Sequence, residues 1–319
     1  MPRRRSAVSR PSPPPGSGRI SLGAPRLPVC GILTLLSLAG GCSGTRDAAP
    51  PQTIIAIDDV GDTVRLAAPA SRIVSLIPAT TELLFALGLG DRVVGRTTWC
   101  DYPAAASAVP DLGDGLQPNL EAVVAATPDL VILYNSTQNV AAAARLGEQG
   151  IATALVNTDR LSDVPRLARF LAQLGGRKES GDSLARQFDL ELAAATRPPR
   201  TPTPVILILA WDQPPIVIGR GSFLSELVRR AGAANVFDDL AAASAPVSLE
   251  AIASRNIDLV LIVGSTVPGY VDRAEWQAVA AVREHRFIFV PEGPFSRPGP
   301  RSPEALRLLE ASIDAGPGT

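Results

Sequence analysis

An internal repeat constrains this chain more than any other feature of its sequence. Residues 119–137 (NLEAVVAATPDLVILYNST) align without gaps on residues 248–266 (SLEAIASRNIDLVLIVGST), with eight identities in nineteen positions. Self-similarity between distant segments indicates that the same structural unit is used twice. The chain is therefore predicted to contain two similar lobes.

Each copy of the repeat predicts a short helix followed by a strand. Asn119 and Ser248 can cap helices that carry Glu121 and Glu250 in their first turn. A negative charge is favourable there because the start of a helix is its positive end. Helix-end electrostatics is therefore one interpretation of the two glutamates, and a role in binding a partner is the other.

Short apolar runs alternate with helical patterns from residue 54 onward, in a chain of 319 residues of which 46% are hydrophobic. Such alternation is typical of parallel sheets with crossover helices. We therefore predict an α/β protein. The predicted strands span residues 54–57, 73–77, 93–95, 130–133, 154–156, 205–209, 259–263 and 287–290.

The section between the two halves has a helical pattern without strand signals. Apolar residues keep helical spacing from Val164 to Leu174, and the pattern resumes at Leu184 after an interruption by Gly175 and Gly176. A helical connector over residues 162–200 is predicted to restrict the motion of the lobes it joins. These lobes are residues 54–161 and residues 201–319.

The first 41 residues have the layout of an export signal. Six arginines and no acid precede or flank an apolar run, residues 27–38, that ends in Ala39-Gly40-Gly41-Cys42. The run is shorter than the ~20 residues that a membrane-spanning helix needs. Residues 42–53 are small, polar and rich in proline, and we interpret them as a flexible tether.

The cysteines agree with a lipid anchor. The stretch that ends at Cys42 resembles a bacterial lipobox, in which the cysteine receives a diacylglycerol and becomes the new N-terminus. The alternative is a signal without lipid that is cleaved after small residues. Cys30 is lost with the signal, so Cys100 has no partner and is interpreted as a small buried hydrophobe.

The charge of the exported part argues against nucleic-acid binding. Removing the six N-terminal arginines from the 30 basic residues leaves 24 against 31 acids, a formal net charge of −7. Nucleic-acid-binding proteins need the opposite balance.

Several motifs in a fixed order resemble one family. The chain is similar, over about residues 54–310, to periplasmic binding proteins for vitamin B12 and iron–siderophore complexes, and looks most like the vitamin B12 branch. The motifs are RIVSLIPATTELL (72–84), WCDYP (99–103), NLE (119–121) followed by PDLV (128–131), PP (214–215), SLE (248–250) and FSRPGPR (295–301).

The resemblance implies a fold and a function. It implies two Rossmann-like lobes joined by a single long helical connector, with a ligand cleft between them, in a receptor for an ABC importer. The ligand would be a corrinoid, the partner a permease dimer, and Glu121 and Glu250 would dock to arginines of the permease. We expect an exported monomer, anchored by lipid, with no resident cofactor, no metal site and no catalytic residues.

Ligand contacts follow from the same resemblance and from the topology, because ligands of open α/β sheets bind beyond the carboxyl ends of the strands. Position in the family indicates Ala79, Thr80, Trp99, Phe295 and Arg297. Arg297 could hydrogen-bond an amide or carboxylate of the ligand, or it could be a solvated loop residue.

Aromatic residues near the strand ends could lie against a macrocycle. Trp99, Tyr102, Trp211 and Phe295 are the candidates, and ordinary packing is the alternative for each. The chain departs from the vitamin B12 binders in two places. The segment 114–118 (DGLQP) lacks a pocket tryptophan, and Pro294 replaces an aromatic residue.

An enzyme is the first rival hypothesis. The chain has one histidine, His285, so a Ser-His or Cys-His site would have to use it. Asp58-Asp59 and Asp238-Asp239 are adjacent pairs, which are typical of turns, and the Gly88-Leu89-Gly90 stretch follows a helix and predicts its end.

Receptors for other ligands are the second group of rivals. A bare transition metal would need several histidines. A haem receptor stays open because Tyr102, Tyr134, Tyr270 or His285 could ligate iron. A ferric siderophore receptor also stays open, since it needs an aromatic cleft that contains an arginine.

Overall fold

The structure is a computed structural model, and it describes residues 53–318. The predicted signal (1–41), the lipidation site at Cys42 and nearly all of the tether (42–53) lie outside the described residues. The described residues belong to one compact unit.

The first lobe is an α/β layer preceded by a hairpin. A four-stranded parallel sheet in the order β4-β3-β5-β6 forms its centre, and β1 and β2 pair antiparallel in front of it. Its elements are β1 (Ile54–Ile57), β2 (Thr63–Leu66), β3 (Ile73–Ser75), α1 (Pro78–Ala86), β4 (Val93–Arg96), α2 (Leu120–Ala125), β5 (Leu130–Tyr134), α3 (Thr137–Gly147) and β6 (Ala152–Val156).

Local chemistry explains where these elements begin and end. Helix α1 starts at Pro78, which has no amide hydrogen to leave unpaired, and it stops before Gly88, whose φ of +70° suits glycine. Asp58 accepts backbone hydrogen bonds from Val60 and Asp62 in the β1–β2 turn, as its turn pattern predicts. Its other carboxylate oxygen accepts from the amide of Leu155 in β6, so the hairpin is tied to the sheet.

The helical connector is present and is divided into two helices, α4 (Asp163–Leu174) and α5 (Lys178–Ala195). Gly176 has a φ of +65°, and a β-carbon on Gly175 would lie 2.5 Å from Leu89 Cδ1. The turn therefore requires this glycine pair, which is why the helical pattern is interrupted there. The apolar faces of both helices join the main core.

The second lobe contains a mixed sheet in the order β10-β8-β7-β11-β12, with β9 beside β7. Its centre is parallel, whereas β8 and β10 are antiparallel. Its elements are β7 (Val205–Asp212), β8 (Pro215–Ile218), α6 (Phe223–Arg230), β9 (Ala234–Asn235), β10 (Ser244–Pro246), α7 (Leu249–Ala253), β11 (Leu259–Val263), α8 (Ala280–Arg283), β12 (Phe287–Val290), α9 (Glu292–Phe295) and α10 (Ser302–Ala315).

The predicted α/β class is confirmed, and each of the eight predicted strands is present. The strands β2, β8, β9 and β10 are additional. They have four residues or fewer and belong to hairpins or short edge pairs, so they lack the long apolar run that marks β5 and β11. No helix among residues 53–318 is long and apolar enough to cross a membrane.

Candidate ligand-binding cleft

A cavity of about 640 Å³ lies between the lobes. The first lobe contributes the loops that follow β3, β4 and β6, which are carboxyl ends of parallel strands. The second lobe contributes the start of α6 and the segment after β12. The cavity is lined by Ile77, Pro78, Ala79, Trp99, Asp101, Thr158, Asp159, Ser222, Phe223, Ala243, Glu292, Ser296, Arg297 and Pro298.

A second hollow, of about 680 Å³, shares Glu292 with this cavity. It lies at the carboxyl ends of β11 and β12 and is otherwise uncharged. The two spaces together exceed the roughly 1,000 Å³ at the upper end of pockets for drug-sized molecules. The cleft therefore has room for a ligand the size of a macrocycle. The lining residues of the hollow are Gly264, Ser265, Val267, Phe289, Val290, Pro291 and Glu292.

Trp99 is the large aromatic side chain that the cavity exposes. It is 68% exposed, on the loop that follows β4. The next residue, Cys100, is fully buried, as predicted, and its sulfur lies 3.1 Å from Thr81 Oγ1 and 3.2 Å from Thr97 Oγ1. The buried cysteine therefore anchors the loop that presents Trp99.

Ala79 and Thr80 begin helix α1 but face different ways. Ala79 lines the cavity, whereas Thr80 is fully buried. The Thr80 hydroxyl donates to the carbonyl of Ile77 at 3.0 Å and lies 2.8 Å from Ser75 Oγ. Thr80 therefore stabilises the turn between β3 and α1 and does not reach the cavity.

Arg297 lines the cavity, and each of its three nitrogens donates to a protein group. Nε donates to Glu82 Oε1 at 2.7 Å, Nη1 to the carbonyl of Trp99 at 3.4 Å, and Nη2 to the carboxylate of Asp101. All three acceptors belong to the first lobe. The guanidinium of Arg297 therefore joins the two lobes.

Glu82 is the residue around which this contact is built. Its side chain is 2% exposed, and it also accepts from Arg301 Nε at 3.0 Å and Nη2 at 2.6 Å. A buried carboxylate needs such partners because its desolvation is costly. Sequence reasoning missed Glu82, although an acid among the apolar residues of α1 was a usable signal.

Three other predicted aromatic contacts lie elsewhere. Phe295 is 2% exposed and belongs to the main core, because the short helix α9 turns its side chain inward. Tyr102 lies beneath the guanidinium of Arg301, 3.9 Å from the ring centre, in a neighbouring hollow of about 350 Å³. Trp211 is 59% exposed on the β7–β8 hairpin and lines neither the cavity nor the hollow.

Asp159 is a cavity residue that the sequence analysis did not identify. It follows β6, and the sequence analysis placed no ligand contact beyond the carboxyl end of that strand. Its carboxylate accepts from the Tyr134 hydroxyl at 2.9 Å, and its carbonyl accepts from the amide of Phe223 in the second lobe at 3.1 Å. Burial, and then the hydrogen bond to Asp159, raise the pKa of Tyr134 to about 12.

Glu121 and Glu250 occupy the same position in the two lobes. Both are exposed at the starts of α2 and α7, which the side chains of Asn119 and Ser248 cap through hydrogen bonds of 3.1 and 3.2 Å. Hydrogen bonds from its own amide and from Ser248 lower the pKa of Glu250. The geometry that the repeat predicts is therefore present twice.

The residues proposed for rival chemistry lie away from the cavity. His285 is exposed before β12, at the opposite edge of the sheet, with a φ of +52°. Tyr270 is buried, where desolvation raises its pKa far above the usual range, and Tyr134 is engaged with Asp159. None of the four described candidates for iron ligation, these three and Tyr102, lines the cavity or the hollow.

Comparison with known proteins identifies relatives. The chain is 29% identical over 269 residues to an uncharacterized ABC transporter substrate-binding lipoprotein, YvrC, of Bacillus subtilis, which covers 81% of this chain and 85% of that protein. It is 28% identical over 241 residues to the vitamin B12-binding protein of Pectobacterium atrosepticum, covering 72% and 84% of the two chains.

A solved structure shares the fold. The periplasmic heme-binding protein RhuT from Roseiflexus sp. RS-1 is similar with a TM-score of 0.66 and 26% identity, over 76% of this chain and 98% of that one. A sequence model of one family, described as periplasmic binding protein, matches residues 73–294. The chain therefore belongs to the periplasmic binding protein family.

Proposed function

We propose that this protein is the lipid-anchored substrate-binding component of an ABC importer and that its ligand is a corrinoid. Membership in the periplasmic binding protein family makes it a solute-binding protein of a transport system and not an enzyme. The corrinoid, the anchor at Cys42 and a monomeric state are the parts of the proposal that need experiments.

One observation supports the corrinoid above haem. The cleft has the volume for a macrocycle and exposes the Trp99 ring in it, while its described lining contains no histidine, tyrosine, cysteine or methionine. A corrin brings its own cobalt and needs shape, apolar contact and hydrogen bonds, whereas haem receptors that ligate the iron need such a side chain. The relatives named for vitamin B12 agree with this choice.

A titration with cyanocobalamin tests the ligand. The purified protein should bind it one to one, as followed by calorimetry and tryptophan fluorescence. Trp99→Ala should weaken binding at least tenfold, because it removes the exposed ring from the cleft. Trp211→Ala is the matched control, since it deletes another exposed tryptophan, which lies outside the cleft, and it should leave affinity unchanged. Saturable binding of haem or ferrichrome, with no response to cyanocobalamin, would show that the ligand is not a corrinoid and would leave the importer role in place.

The two repeat glutamates are proposed to dock the permease. They are exposed, equivalent on the two lobes, and so form a pseudo-symmetric pair that fits a two-fold symmetric partner. Glu121→Arg with Glu250→Arg should abolish transport while the affinity for the ligand stays the same. Glu148→Arg reverses an exposed charge at the end of α3, outside the repeat, and should transport normally. Normal transport by the double variant would eliminate the docking role.

The anchor has a separate test. Cys42→Ser should release the protein from the membrane fraction and abolish the incorporation of labelled fatty acid. Unchanged fractionation would show that the signal is cleaved without lipidation.

A further inference from the structure

We infer that the cleft selects its ligand by charge, accepting neutral or cationic ligands and disfavouring those that carry carboxylates or other anionic groups. The inference takes the position of the site from the proposed function and does not depend on the ligand being a corrinoid.

The ionisable residues of the cleft are mostly acidic. Among the described lining residues of the cavity and the hollow, these are Asp101, Asp159, Glu292 and Arg297. Arg297 is thus the single base among four charged groups. An anionic ligand would need this arginine as its counter-charge.

The charge of Arg297 is already compensated within the protein. The Glu82-centred cluster consists of two carboxylates, Glu82 and Asp101, and two guanidinium groups, Arg297 and Arg301, so its formal net charge is zero. Glu82 holds both arginines from a position with 2% exposure. Asp101, by contrast, is exposed, lines the cavity beside Arg297 and accepts a hydrogen bond from Arg297 Nη2. A ligand carboxylate would have to displace Asp101 to reach the guanidinium.

The two remaining acids have no such compensation. Asp159 accepts from a neutral donor, the hydroxyl of Tyr134, and within residues 53–318 neither Asp159 nor Glu292 forms a salt bridge. Arg160, which follows Asp159, and Arg220, two residues before the lining residue Ser222, are exposed and line neither space. The cleft therefore carries a formal charge of about −2, set by these two carboxylates on opposite lobes.

Two uncompensated charges are enough to discriminate between ligands. At the effective dielectric of a protein surface, like charges about 6 Å apart repel each other by more than the equivalent of a factor of ten in affinity. Exclusion of water from the closed cleft strengthens this effect, and added salt weakens it. We expect roughly a tenfold loss of affinity for each negative charge on an otherwise equal ligand.

The experiment compares ligands of matched shape. The full-length protein in detergent is titrated with cyanocobalamin and with its monocarboxylic and dicarboxylic derivatives, in which one or two side-chain amides are hydrolysed. A second series uses ferrioxamine B, ferrichrome and ferric enterobactin, which are cationic, neutral and anionic. Affinity should fall with negative charge in whichever series binds. Equal or tighter binding of the anionic members would overturn the inference.

Variants assign the effect to the named carboxylates. The double variant Asp159→Asn with Glu292→Gln should reduce the ratio of affinities for neutral and anionic ligands at least tenfold. Asp101→Asn should also reduce this gap in affinity, because it frees Arg297. Glu148→Gln is the matched control and should leave the gap unchanged. An unchanged gap in the double variant would contradict the inference. If that variant does not fold, the salt dependence of the wild type provides the test. Added salt should raise the affinity for anionic ligands, and a preference for neutral ligands that does not change with salt would contradict the charge mechanism.

The outcomes separate this inference from the proposed function. If affinity falls with negative charge in the siderophore series and no corrinoid binds, charge selection is supported and the corrinoid is eliminated as the ligand. Equal binding of cyanocobalamin and its acids would keep the corrinoid and remove charge selection. No binding in either series would remove both.

Discussion

The two copies of the repeat are alike up to the ends of their strands and differ beyond them. In each copy a capped helix leads into a buried parallel strand, β5 or β11. Each copy also ties its strand to the neighbouring one through an aspartate. Asp129 accepts hydrogen bonds from Ser71 and Arg72 before β3, and Asp258 accepts one from Val205 at the start of β7.

The identical Ser-Thr pair that ends each copy has two different fates. Ser136 caps the eleven-residue helix α3 by accepting from the amide of Asn139 at 3.2 Å. Ser265 follows Gly264, which has a φ of +138°, and it lines the hollow of the cleft instead. The Ser-Thr pair therefore begins a helix in the first lobe, whereas in the second lobe its serine lines the ligand cleft.

This difference teaches which part of the repeat is constrained by folding and which is free for function. Caps, buried strands and strand ties are needed in both lobes, so their residues are alike. The segments beyond the strands contact the ligand space, where the two lobes contribute different groups. The Glu82-centred cluster is one example, since the first lobe provides its acids and the second its bases.

The largest effect is expected where the lobes meet. Glu82→Leu leaves Arg297 and Arg301 without their shared buried carboxylate and should lower the free energy of unfolding by about 3–5 kcal/mol, as measured by urea denaturation. Replacing both arginines in the same chain, with Arg297→Met and Arg301→Met, should restore much of the loss. A loss below about 1 kcal/mol for Glu82→Leu would show that the cluster does not hold the lobes together.

A smaller effect should distinguish the two strand ties. Asp129→Ala removes an acceptor of three hydrogen bonds and should cost about 2 kcal/mol, whereas Asp258→Ala removes one and should cost about 1 kcal/mol. Chemical denaturation of the two variants measures both. Equal losses would mean that the number of hydrogen bonds does not set the difference between the lobes.

The Ser-Thr pairs should respond in opposite ways. Ser136→Ala should lower the free energy of unfolding by about 1 kcal/mol, because it removes a helix cap, and should not change ligand affinity. Ser265→Ala should change stability by less than about 0.5 kcal/mol and weaken binding of the ligand. Thermal unfolding and calorimetric titration of both variants would check this, and a shared response would mean that the two copies are not specialised.

The smallest expected effect concerns acid. Partial burial raises the pKa of Asp101, but the hydrogen bond and charge of Arg297 lower it more, so the pKa lies below its usual value. The stabilisation from Asp101 is then complete above the usual pKa of an aspartate and is lost as the pH falls below about 4. At neutral pH the free energy of unfolding of the wild type should exceed that of Asp101→Asn by a few tenths of a kcal/mol. The difference is small because the carboxylate is exposed. That difference should vanish in acid, and a difference that grows in acid would contradict the sign.

The sequence by itself determined the local structure and the division into lobes. The eight predicted strands, the two caps, the end of α1 at Gly88 and the break at Gly175–Gly176 depend on backbone conformation and on the spacing of apolar side chains. Such features are encoded within a few residues. The position of the cleft also followed, because the carboxyl ends of parallel strands meet at one edge.

Tertiary structure alone decided which side chains face the cleft. Trp99, Trp211 and Phe295 are all aromatic residues near strand ends, yet they are respectively in the cavity, on a hairpin and in the core. The partnership of Glu82 with Arg297, 215 positions later, has no local signal either. Orientation and ion pairing depend on the packing of distant segments against each other, which the spacing of residues along one chain segment does not record.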